Sequence, residues 1–120
     1  MTTRAGTPRE LLTPAALHVL LSLAEGERHG YGIKLDVEQR TAGALSLGPG
    51  TLYEAIHRME KSGWIEESAR RGGRTKIDPR RRYYRMTKEG RERLKQELER
   101  LRDIVSYARA RDLLRDPEAT

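Results

Sequence analysis

The 120-residue chain has no cysteine and no phenylalanine, one tryptophan and three histidines. Without cysteine there can be no disulfide, zinc–thiolate centre or thiol nucleophile, and a chain that needs no staples fits a reducing compartment. His18, His29 and His57 fall on separate segments with no pair at metal-ligand spacing, so no metal site is expected. No apolar run approaches the roughly 20 residues of a membrane span. Residues 1–10 carry Arg4, Arg9 and Glu10 and no apolar stretch, so they do not read as a signal peptide. The expectation is a soluble, cytoplasmic protein. No nucleophile sits beside a base, so neither catalytic residues nor a cofactor are expected and enzyme chemistry is set aside.

Aromatic residues are also sparse, at 5%, against 35% charged residues. That balance suits a small helical protein with a wide solvated surface and not a deep enzyme pocket. The length points to one domain with a modest core.

Acidic residues are nearly missing from one segment. The chain carries a net charge of +6. Between Arg70 and Arg85 lie Arg70, Arg71, Arg74, Lys76, Arg80, Arg81, Arg82 and Arg85, opposed by Asp78 alone, a formal charge of +7. One segment therefore holds the whole excess, which points to a polyanionic partner.

Along the chain, Thr13 and Pro14 are helix-start residues, and Ala16, Val19, Leu20 and Leu23 follow at helical spacing until Gly26. A second helix is expected over about 31–40, with Ile33 and Val37 inward. Leu45 and Leu47 alternate around Ser46 and suggest a very short strand. A third helix is expected from about Pro49 to Ser62, its inward stripe Leu52, Ile56 and Met59, and Gly63 stops it. The period then changes. Residues 64–68 and 81–86 read as two strands, with Tyr84 and Met86 inward and Gly72-Gly73 and Asp78-Pro79 in the loop between them. Thr87 caps a long last helix running to about Leu114, about 28 residues and roughly 40 Å.

The order predicts a mainly α (α+β) fold, a winged helix-turn-helix with a two-stranded β-wing and a long C-terminal helix. The expected divisions are a flexible segment at 1–10, a DNA-binding domain at 11–86, a dimerisation helix at 87–115 and a disordered tail at 116–120.

The third helix is the candidate reader of duplex DNA. A helix in the major groove needs small residues at its start and hydrogen-bonding side chains on an outer face. Pro49, Gly50 and Thr51 supply the first; Tyr53, His57, Arg58 and Lys61 supply the second. The wing residues Arg70, Arg71, Arg74, Lys76, Arg80 and Arg81 are the expected phosphate contacts. On the last helix Leu94, Leu98, Leu101, Val105 and Ala108 recur at spacings of four and three, a two-helix seam that predicts a homodimer.

Several of these stretches resemble the PadR-like transcriptional regulators, in that family's order and spacing. They are Leu12-Thr13-Pro14-Ala15, His29-Gly30-Tyr31-Gly32-Ile33 and Leu47-Gly48-Pro49-Gly50-Thr51-Leu52-Tyr53, then Gly63-Trp64-Ile65-Glu66 and residues 81–87, followed by Gly90. The single C-terminal helix resembles the short branch of the family. The resemblance implies a two-fold dimer held by that helix and a repressor on an inverted-repeat operator; the location expected for such a DNA-binding protein is cytoplasmic and nucleoid-associated. It also implies release by a small, often aromatic, effector near the dimer interface. The C-terminal helix here carries no tryptophan, and Tyr107 is its only aromatic residue.

Overall fold

The computed structural model of the chain describes residues 11–71 and 82–115, apart from the side chains of residues 69–71. In chain order the elements are α1 (Pro14–Leu23), β1 (Arg28–His29), α2 (Gly30–Arg40), α3 (Pro49–Ser62), β2 (Ile65–Arg71), β3 (Arg82–Met86) and α4 (Lys88–Ala110).

Local chemistry sets the helix ends. Thr13 Oγ1 accepts from the Ala16 N–H at 3.1 Å, with Pro14 at the first position of α1. His29 Nδ1 accepts from the Gly32 N–H at 2.9 Å, and Thr87 Oγ1 from the Gly90 N–H at 3.0 Å. Each cap occupies a first-turn donor that has no partner inside its helix. α2 and α3 stop at residues in the left-handed region, Ala42 (φ 52°) and Gly63 (φ 81°). There the Gly43 N–H reaches the Glu38 carbonyl at 2.8 Å, and the Trp64 N–H reaches that of Met59 at 2.9 Å, closing both last turns.

The apolar stripes meet in one core. Val19, Leu20 and Leu23 of α1 pack with Ile33 and Val37 of α2, Leu52, Ile56 and Met59 of α3, Ile65, Tyr84 and Leu94. Burying each such aliphatic side chain contributes about 1.5–3 kcal/mol. A polar hub fastens α1 to α2 at the edge of this core. Ser22, 1% exposed, donates to Asp36 Oδ2 at 2.5 Å, Arg40 Nε donates to the same oxygen at 3.0 Å, and Arg28 stands 3.8 Å from Oδ1. Burial opposes ionisation of Asp36. The Ser22 hydroxyl and the two guanidinium groups outweigh it and hold the carboxyl below its ordinary range. Arg40 Nη2 also donates to the His18 carbonyl at 3.1 Å. Burial, and then the Arg40 charge, push the His18 imidazole down.

The sheet has three antiparallel strands in the order β1-β3-β2. The expected wing is the β2–β3 hairpin, with Ile65 opposite Met86 and Glu67 opposite Tyr84, before a register shift that brings Arg71 opposite Arg82. Tyr84 is buried and Met86 half-buried, while Arg82 is exposed. The third strand was not expected. Arg28 and His29 pair with Tyr84 and Tyr83, and the His29 ring meets the Tyr83 ring edge-on at 5.3 Å. The short strand expected at Leu45 and Leu47 does not form. Leu47 is buried at 1%, but residues 45–48 are irregular. Thr41 Oγ1 accepts from the Leu45 N–H at 3.1 Å, taking a donor that a strand would have paired, and itself donates to the Val37 carbonyl of α2 at 2.9 Å.

α4 is pinned where it leaves the wing. The Thr87 N–H donates to the Trp64 carbonyl at 3.0 Å, and the Thr87 hydroxyl to the Gly63 carbonyl at 2.6 Å. Gly90 then lies so close to the Trp64 carbonyl that a Cβ there would overlap it. α4 ends at Ala110 and not near Leu114: Asp112 takes a left-handed φ of 60°, and the Leu113 N–H turns back to the Ala108 carbonyl at 2.9 Å. With 23 residues the helix is about 35 Å long. The fold is a winged helix-turn-helix with a long C-terminal helix, and among the described residues no helix is long and apolar enough to cross a membrane.

Candidate nucleic-acid interface

α3 turns its polar side outward. Pro49, Gly50 and Thr51 are exposed in its first turn, and His57, Arg58 and Lys61 are exposed further along. Its N-cap, Gly48, makes no side-chain hydrogen bond, whereas α1, α2 and α4 are each capped by a side chain. The first N–H groups of α3 are thus open to an anion, and the helix dipole favours one there. Lys61 lies in the last turn, where the dipole favours a cation.

Two of the expected readers are engaged within the chain. Tyr53 is half-buried, its phenol against Gly30 so closely that any Cβ at Gly30 would strike it. The ring therefore spaces α3 from the start of α2. Arg58 Nη2 donates to Glu54 Oε2 at 3.4 Å, both side chains more than two-thirds exposed. A long contact at that exposure is worth well under 1 kcal/mol, so Arg58 can exchange it for another acceptor.

The base of the wing is also locally paired. Arg85 Nε donates to Glu66 at 2.8 Å and approaches Glu27 at 3.9 Å, and Arg82 lies 3.8 Å from Glu67. These two arginines are largely neutralised by neighbours. Arg74, Lys76, Arg80 and Arg81, together with the side chains of Arg70 and Arg71, lie outside the described residues.

The seam residues divide along α4. Gly90, Arg93, Leu94 and Glu97 are buried within the chain, and Leu94, 4% exposed, joins its core. The same stripe then runs past the body. Leu98 is 39% exposed, Leu101, Val105 and Ala108 are half-buried, and Ile104 is 50% exposed. Ile104 was not among the expected seam residues, though its spacing of three from Leu101 and four from Ala108 puts it on the same side. Glu97 anchors the buried half. Arg100 Nη2 donates to it at 2.5 Å, Arg93 stands 3.7 Å away, and the Leu12 backbone also bonds to it. The Arg100 bond outweighs burial and lowers the Glu97 carboxyl below its ordinary range.

The family model described as the transcriptional regulator PadR-like family matches residues 19–96. A transcriptional regulator from Clostridium thermocellum has a similar structure, with a TM-score of 0.67 and 31% identity over 80% of this chain and 87% of that one. Bacillus subtilis PadR, solved in complex with operator DNA, shares the fold at a TM-score of 0.61 and 22% identity, over 71% of this chain and 46% of that one. An uncharacterized 37.1 kDa protein of a Streptomyces fradiae transposon is 36% identical over 83 residues, 69% of this chain. The chain spans only 21% of that relative's length.

Proposed function

The chain belongs to the PadR-like family of transcriptional regulators, and from that premise we propose that it acts as a homodimeric repressor on an inverted-repeat operator. One observation carries this reading: a helix with an uncapped, exposed start and an outward row of His57, Arg58 and Lys61 stands directly before a hairpin segment of formal charge +7. The solved Bacillus subtilis neighbour holds operator DNA, which supports the same partner here.

In this reading residues 11–86 hold the DNA and residues 87–115 pair the subunits. The first-turn N–H groups of α3 take a phosphate, and His57, Arg58 and Lys61 meet base edges or adjacent phosphates. Arg70, Arg71, Arg74, Lys76, Arg80 and Arg81 of the wing neutralise the backbone alongside. A second copy covers Leu98, Leu101, Ile104, Val105 and Ala108. Two-fold pairing sets the two α3 helices about 34 Å apart, one duplex turn. Bound across a promoter in the cytoplasmic nucleoid, such a dimer blocks polymerase, and a small-molecule effector releases it.

Selection of bound sequences from random duplex DNA tests the proposal. The expected product is an inverted repeat whose half-sites lie one turn apart, bound with steep salt dependence. Neutralising roughly 6–10 phosphates costs about three to five decades of affinity between 50 and 200 mM salt. A protein that stays monomeric at micromolar concentration and retains no duplex at low salt would refute it.

A further inference from the structure

We propose that the buried Arg93–Glu97–Arg100 cluster locks the angle between α4 and the reading head, and that this angle sets the half-site spacing the dimer accepts. The second half of this statement rests on the DNA-binding reading above; the first does not. Two points fix the direction of a rod. The first turn of α4 supplies one, through the Thr87 hydroxyl on the Gly63 carbonyl and the close approach of Gly90 to the Trp64 carbonyl. Glu97 supplies the other, about 10 Å further along the helix than Gly90. Its carboxylate accepts from Arg100 Nη2 at 2.5 Å and Nε at 3.3 Å, and from the backbone of Leu12, the residue before the α1 cap. Arg93, 3.7 Å from Glu97, lies over the Trp64 ring, 5.7 Å from its centroid. The Trp64 N–H in turn closes the last turn of α3. One cluster thus ties α4 to the approach to α1 and to the end of α3.

Stability alone is a poor reason for these charges. Arg93 is 5% exposed and Glu97 3%. Removing two such groups from water costs so much that apolar residues of similar volume are often no less stable. Apolar contacts are non-directional and let a helix tilt or slide. A charge cluster holds one geometry, provided every member is satisfied. Among the described residues no buried side-chain nitrogen or oxygen lacks a partner. The position is equally specific. Leu98, next along the chain, is already 39% exposed, so the cluster stands where the helix leaves for the exposed seam.

The helix then works as an arm. From Gly90 to Ile104, in the middle of the exposed stripe, it measures about 21 Å. A tilt of roughly 9° about the pinned first turn moves that end by about 3 Å, close to the ~3.4 Å rise of one base pair. A head free to swing by that amount can meet half-sites one base pair nearer or farther. Glu97 is therefore a positioning residue, acting on spacing through the arm and not by contact with a base.

The chain has no cysteine, so spin labels can be placed at chosen positions. Labels at Lys61→Cys on α3 and Arg102→Cys on α4, with labelled chain diluted in unlabelled chain, report the angle within one protomer by pulsed electron resonance. The parent should give one narrow distance. Arg93→Met combined with Glu97→Leu removes the buried pair together, should stay folded, and should broaden that distance by about 3 Å. Glu97→Gln, close to glutamate in shape, serves the same purpose should the double variant fail to fold. On duplexes whose selected half-sites are moved apart by one base pair, the parent should lose about tenfold or more in affinity and the variant about threefold or less. An unchanged distance width overturns the lock, whatever happens to the urea midpoint, since a merely structural cluster would move only the midpoint. A broadened distance with the parent's spacing preference overturns the link to spacing. A variant that broadens the distance, in a chain that selects no DNA, supports the lock and sinks the proposed function instead.

Discussion

Gly90→Ala should destabilise the protein, although helix propensity alone predicts the opposite. Alanine in place of glycine inside a helix gains about 1 kcal/mol. At this position the new Cβ would overlap the Trp64 carbonyl oxygen and stand 3.1 Å from Met86 Cγ. The Met86 side chain can yield. The Trp64 carbonyl cannot, because it accepts from the Thr87 N–H at 3.0 Å while the neighbouring Gly63 carbonyl accepts from the Thr87 hydroxyl at 2.6 Å. Relief therefore requires the first turn of α4 to lift away from the start of β2. That movement strains the Gly90–Thr87 cap, worth about 1 kcal/mol, and loosens the packing of Leu94. Overpacking against a fixed backbone typically costs about 1–3 kcal/mol. With the cap added and the propensity gain subtracted, the net loss is about 1–3 kcal/mol, or roughly 4–12 °C in melting temperature at about 4 °C per kcal/mol. Urea denaturation at equal slope measures it. A variant as stable as the parent, or more so, would show that α4 is not locked to the wing by this contact.

Ala42→Gly should stabilise by about 0.5–1 kcal/mol in the same assay, because Ala42 holds a φ of 52° that costs an alanine about 1–2 kcal/mol, part of which the looser unfolded glycine chain returns. Asp36→Asn should lose about 2 kcal/mol at neutral pH through its bonds to Ser22 and Arg40, and denaturation at a series of pH values should also flatten. The folded Asp36 titrates below its ordinary 3.8, so its contribution is complete above that value and is lost as pH falls through the lower folded value. His18 adds loss in the same direction, starting as pH drops below 6.5, because the unfolded imidazole takes its proton first; the variant should keep this part and lose the Asp36 part. Ile104→Glu should yield monomers in sedimentation at micromolar concentration, and a variant that remains dimeric would place the subunit contact elsewhere. Arg74→Ala and Arg81→Ala should weaken binding to all duplexes and reduce the salt slope by about one each, while His57→Ala and Lys61→Ala should reduce preference for the selected sequence; equal losses on specific and random DNA would remove the reading role of α3.

Much of this fold was legible because its signals are local. Thr13, Gly63 and Thr87 act on neighbours within a few residues, and the stripes of α1, α2 and α3 repeat often enough to define a buried side. The misses share a cause, which is that distant partners decide the outcome. Arg28-His29 is too short and too polar to show a period of two, and it becomes a strand only because Tyr83 and Tyr84 offer a free edge. Leu45 and Leu47 show that period, yet the Thr41 hydroxyl captures the Leu45 N–H. The end of α4 was hidden because an aspartate, Asp112, takes the left-handed position that glycine usually announces.

The candidate site is harder to read for a related reason. Periodicity separates the inside of α3 from its outside, but it does not say what stands beside each flank. Tyr53 and Arg58 look equivalent in the sequence, as polar groups just off the buried stripe. The fold separates them: Tyr53 is trapped against Gly30, while Arg58 lies exposed with a long contact to Glu54. The same limit applies to α4, where Leu94 and Leu101 hold equivalent places in one repeat. The body of the chain covers Leu94 and stops short of Ile104. Which residues of the stripe stay exposed is therefore set by what packs against the helix, and not by the repeat itself.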